Sequence, residues 1–162
     1  MILGITGHRP SVLGCGYSTP NPIYDKVCGE LFAKFNELGV SKIISGMALG
    51  IDQWSVQVAM KMSIPYIAAV PCDNQDSRWP KESQEKFKYF LDNASEVVVV
   101  SPGAYSPEKM HIRDRWIVDH SESLLAVWNG IAKGGTYGTI RYAQSQLFNR
   151  PGYKMYRINP KI

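Results

Sequence analysis

The stretch Lys42-Ile43-Ile44-Ser45-Gly46-Met47-Ala48-Leu49-Gly50-Ile51-Asp52 runs from a short apolar segment through two glycines into a region of helical period. Val56, Ala59 and Met60 carry that period along one face until Pro65 stops it, and Tyr66 to Val70 resumes the apolar character. Strand, glycine turn, helix and strand in that order make a βαβ unit. The rest of the chain can be read outward from it.

Four more apolar runs have the same strand length: Ile2 to Thr6, Glu96 to Ser101, Leu124 to Trp128 and Lys154 to Ile158. Helical faces separate them. Tyr24, Val27, Leu31, Phe35 and Leu38 form one that ends at Gly39, and Phe87, Phe90 and Leu91 form another within Lys81 to Asn93. Two more lie over Lys109 to Ser121 and Gly138 to Phe148. Six strands alternating with five helices predict an α/β fold, a Rossmann-like three-layer α/β/α arrangement with a mostly parallel sheet. No repeat, linker or low-complexity segment interrupts residues 1–162, so a single domain is expected.

Composition narrows the function classes. At 44% hydrophobic and 20% charged residues the chain is of ordinary globular type, with no apolar run near the length of a membrane span. The start of the sequence has neither a basic leader nor a small-residue cleavage site, so a cytoplasmic location is expected. Cys15, Cys28 and Cys72 fit neither a disulfide framework nor a metal spacing, and His8, His111 and His120 form no i, i+4 pair. No metal and no cofactor is implied. A net charge of +4 suits an anionic ligand without the clustered basic runs of a dedicated nucleic-acid surface.

The chemistry-bearing residues gather at strand ends, where open α/β folds bind their ligands. Gly7 bends the chain after the first strand, and His8 and Arg9 follow as donors suited to phosphate. Ser45, Gly46, Met47 and Gly50 lead into a helix whose amides favour an anion, and Asp52 serves either the ligand or the helix cap. This turn is neither the G-x-G-x-x-G fingerprint nor a Walker loop. Arg113, Trp116 and Asp119 are spaced to share a helix face, with Asp114 beside them. Lys133-Gly134-Gly135-Thr136-Tyr137-Gly138-Thr139 reads as a turn whose amides and hydroxyls ring an anion. Trp79, in the loop after the third strand, is a candidate for stacking on a base.

In this order, Gly4-Ile5-Thr6-Gly7-His8-Arg9-Pro10, Ser45 to Asp52, Trp79-Pro80, Arg113 to Asp119, and Ala126 to Gly130 with Gly134-Gly135-Thr136 resemble the SLOG superfamily, and within it the YpsA-like branch. The superfamily also holds DprA and the LOG phosphoribohydrolases. The resemblance implies a Rossmann-like domain, commonly a homo-oligomer, that binds nucleotides or nucleotide-derived ligands such as ADP-ribose-like signals. It does not fix an activity. LOG enzymes carry Pro-Gly-Gly-x-Gly-Thr-x-x-Glu; here Lys133 replaces the proline, one residue is inserted before Gly138-Thr139, and Tyr142 stands where the glutamate would be. The branch often shows Arg-Asn where this chain has Arg113-Asp114.

The leading expectation is therefore binding of a nucleotide-type small molecule. One alternative is hydrolysis of the N-glycosidic bond of a nucleoside 5′-phosphate, with Arg9 or Arg113 on phosphate and Asp52, Asp114 or Asp119 beside the sugar. A further alternative is binding of single-stranded DNA as in DprA.

Overall fold

The computed structural model describes residues 1–162. All six strands form: β1 (Ile2–Gly7), β2 (Lys42–Ser45), β3 (Tyr66–Val70), β4 (Glu96–Val99), β5 (Ser123–Val127) and β6 (Lys154–Ile158). They pair in parallel throughout, in the order β4-β3-β2-β1-β5-β6. The helices are α1 (Pro10–Leu13), α2 (Pro22–Leu38), α3 (Ile51–Lys61), α4 (Lys81–Asp92), α5 (Pro107–His120) and α6 (Gly134–Gln146).

Alternation along the strands builds the two faces. Leu3 and Ile5 of β1, with Ile43 of β2, Ala68 of β3 and Leu125 of β5, pack against Val27, Leu31 and Phe35 of α2, Val56 of α3, and Phe87 and Phe90 of α4. The opposite face sends Ile44, Ile67 and Ala69 to Ile117 of α5, and Leu124 to Val118 of α5 and Ala143 of α6. The three-layer Rossmann-like arrangement expected from sequence is the one observed. No helix is long and apolar enough to cross a membrane.

Local chemistry sets the helix ends. Asn21 accepts a hydrogen bond from the Tyr24 amide at 2.9 Å, Pro22 opens α2, and Gly39 closes it at φ +60°. Ser106 caps α5 in the same way, with Pro107 in its first turn. Differences from the sequence reading lie at element ends and in short pieces. One turn of helix, α1, follows β1 in addition to the five expected helices, and α5 starts at Pro107 rather than Lys109. The largest difference is α6, which starts at Gly134 rather than Gly138, so the glycine pair is its first turn and not a preceding loop.

Gly50 joins the β2 turn to α3 at φ +94° and ψ −131°, and a Cβ there would lie 2.5 Å from the His8 carbonyl oxygen. That carbonyl accepts from the Ile51 amide at 3.2 Å, so the loops after β1 and β2 touch directly at this point. Gly50→Ala meets both a backbone conformation reserved for glycine and a collision with main chain. It should lower the unfolding free energy by roughly 2 kcal/mol or more, read from urea denaturation midpoints. An unchanged midpoint would show that the two loops are not held together here.

Candidate functional site

From β1 the chain steps outward through β2 and β3 to β4, then crosses back to place β5 on the other side of β1. The loops after β1 and β5 therefore leave in opposite directions, and the crevice between them is where ligands bind in open α/β sheets. A cleft of about 500 Å³ opens there. Gly7, His8 and Arg9 line it from β1, Asp52 from α3, Arg113 and Asp114 from α5, and Gly134, Gly135 and Thr136 from α6.

His8 bridges the crevice. Its Nε2 accepts a hydrogen bond from the Asn129 amide at 3.0 Å, so that nitrogen is unprotonated and the ring is neutral. Burial holds its pKa below the ordinary histidine value.

The floor is a buried polar knot. Ser45 Oγ donates to the Asp52 carbonyl at 2.9 Å and accepts from the Met47 amide at 3.2 Å, while Gln53 Nε2 donates to the Met47 carbonyl at 3.1 Å. Asp52 Oδ2 accepts from the Ala48 amide at 3.2 Å. Arg113 lies against the Gly46 peptide, where a Cβ would sit 2.7 Å from the guanidinium carbon. It donates to the carbonyls of Gly46 and Ala69 and to Asp114 Oδ1, the last at 2.8 Å.

The walls differ from the floor. Lys133 is the N-cap residue of α6 and has no side-chain acceptor to offer, so the amides of the first turn are left without a side-chain cap. Arg9 and Lys133 are exposed and take part in none of the chain's three ion pairs. Free donors and the carboxylates of Asp52 and Asp114 thus line the same cleft.

A family model described as the YspA SLOG family (YpsA) matches residues 3–161. The chain belongs to that family. The SPbeta prophage-derived protein YoqJ of Bacillus subtilis (strain 168) is 32% identical over 160 residues, covering 86% of this SLOG chain and 91% of that one. A UPF0398 protein of Bacillus cereus (strain B4264) is 25% identical over 137 residues, covering 79% and 74%. Among solved structures, DNA processing protein A (DprA) of Streptococcus pneumoniae superposes with a TM-score of 0.69 at 18% identity. That match covers 99% of this chain and 50% of DprA, so the SLOG chain spans half the length of that neighbour. The molybdenum cofactor binding protein of Rippkaea orientalis superposes with a TM-score of 0.55 at 16% identity, covering 98% and 77%. At such identities the likeness is one of fold.

Several residues singled out from the sequence lie elsewhere in this SLOG domain. Ser45, Gly46, Met47 and Gly50 shape the turn beneath the cleft and do not line it. Thr139 is buried and bonds back to the Gly135 carbonyl at 3.0 Å, as a residue one turn into a helix does. Trp79 lines an adjoining cavity. The expected shared face of Arg113, Trp116 and Asp119 is divided: Arg113 is buried in the cleft floor, Trp116 stacks on His120 at 3.9 Å, and Asp119 accepts from the Tyr142 hydroxyl at 2.7 Å outside the cleft. The cleft also takes in Asn129, Lys133, Tyr105, Met110 and His111, which were not singled out. Asn129 and Lys133 sit within the motifs that were read, and the other three follow β4 in the loop and helix start expected at the carboxyl edge.

Desolvation raises the Asp52 carboxyl from 3.8 to about 6, with Arg113 pulling the other way. A carboxyl raised on folding contributes stability in full below its unfolded pKa and loses it as pH rises through its folded pKa. Relative to Asp52→Asn, the wild-type SLOG domain should therefore weaken between about pH 4 and pH 6. Denaturation midpoints of both proteins at the two ends of that window check it. A constant gap between them would show that Asp52 is solvated rather than buried.

Proposed function

We propose that the cleft binds a small molecule derived from a nucleotide. The observation that carries this reading is that one space gathers two kinds of group: uncommitted cations and helix amides together with two carboxylates. A phosphate is met by Arg9, Lys133 and the start of α6, and Asp52 and Asp114 accept from ribose hydroxyls or a base edge. The volume of about 500 Å³ lies in the range of sites that enclose one small molecule. Calorimetry with mononucleotides, ADP-ribose and cyclic dinucleotides tests the reading. Binding is expected for at least one of them, weakened on the order of tenfold by Arg9→Ala, since a charge-assisted contact to phosphate is lost. Silence across the panel at millimolar ligand would sink it.

Asp52 favours a second reading. A carboxyl poised near pH 6 inside the cleft has the acid–base character that cleavage of an N-glycosidic bond requires. If the bound nucleotide is hydrolysed, free base appears and Asp52→Asn or Asp114→Asn abolishes its release, whereas Asp119→Asn, outside the cleft, leaves it intact. Intact nucleotide after prolonged incubation would leave binding alone. The fold shared with DprA, whose counterpart in Helicobacter pylori binds single-stranded DNA, favours a third reading. Its mark is a mobility shift that weakens steeply with added salt.

A further inference from the structure

Beside the cleft lies a second cavity of about 510 Å³, and the two share Arg9, Ala48, Tyr105 and Met110 along their boundary. Their chemistry differs. The cleft holds the carboxylates and the uncapped helix start, whereas the second cavity holds no carboxylate and is lined by the rings of Trp79, Tyr17 and Tyr105 together with Arg78 and the side-chain amide of Asn74. Phe87 holds the Trp79 ring edge-on at 5.1 Å and 72°, so it is a fixed platform. Rings with an amide beside them suit a flat base, which offers faces to stack and edges to hydrogen-bond. At the boundary stands Arg9, exposed and free of any ion pair.

Resting on the nucleotide-binding reading above, we infer that the ligand is a dinucleotide: one nucleoside phosphate in the cleft, a second base against Trp79 and Tyr105, and the linking phosphate at Arg9. Each compartment alone falls within the roughly 300–1,000 Å³ that encloses one small molecule. A mononucleotide would therefore leave one of them empty.

Calorimetry with AMP, with the 5′-phosphorylated dinucleotide pApA and with an oligoadenylate of roughly ten nucleotides tests this. The dinucleotide should bind on the order of tenfold more tightly than AMP, the margin expected for one added stack. Trp79→Ala should erase that margin while leaving AMP affinity unchanged. Arg78→Ala, an exposed substitution, should narrow it and serves as the second variant if loss of the Trp79 ring unsettles α4. Equal affinity for AMP and pApA overturns the two-compartment assignment but leaves the cleft reading standing. An AMP affinity that falls in Trp79→Ala also overturns it, because one nucleotide then spans both spaces. Affinity that keeps climbing from two nucleotides to the longer oligomer overturns it in favour of single-stranded nucleic acid, and no binding of any probe overturns it for adenine dinucleotides, joined by the cleft reading only if the wider panel above is silent too.

Discussion

A buried guanidinium holds the carboxyl edge of this sheet together. Arg113 is 4% exposed, and a charge so placed is tolerated only when its donors are met. Asp114 and the carbonyls of Gly46 and Ala69 meet them, and the Asp52 carboxyl lies close enough to feel the charge. One side chain of α5 thus ties down the ends of both β2 and β3. The absence of a side chain at Gly46 is what lets the guanidinium approach so closely.

This constraint separates two jobs that look alike in sequence. The β2 turn has the composition of an anion loop, yet its hydroxyl and its buried carbonyls are bonded within the protein, to Arg113, Gln53 and each other. It forms the foundation of the site. The exposed donors are Arg9, Lys133 and the opening amides of α6, which have no internal partners to satisfy them. Such uncommitted donors gain most by meeting a ligand, because breaking the buried bonds would leave polar atoms stranded.

The four inner strands were legible because each is a short apolar run between turn residues, and buried parallel strands have little else to show. The family motifs were legible for the same reason, since they sit where those runs end. The start of α6 was hidden, because Gly134 and Gly135 are poor helix formers and Gly134, at φ +89°, has the composition and conformation of a turn where the helix opens. The direction of Arg113 was hidden as well. On α5 the inward residues are Arg113, Ile117 and Val118, and the spacing that links Arg113 to Ile117 competes with the one that links it to Trp116. Periodicity named the helix without saying which of its faces met the core. Tyr105, Met110 and His111 carry no pattern of their own and become neighbours of the cleft only through the route of the chain after β4.

The first turn of α6 has a thermodynamic consequence. Gly134 enters the turn at φ +89°, a left-handed conformation that glycine takes without strain, and no side chain closes that end. The turn is therefore the part of the helix most prone to fray when solvent alone faces it. An anion that accepts from those amides acts as the absent cap, so occupancy of the cleft and winding of this turn become one coupled event, and part of the binding energy is converted into local order.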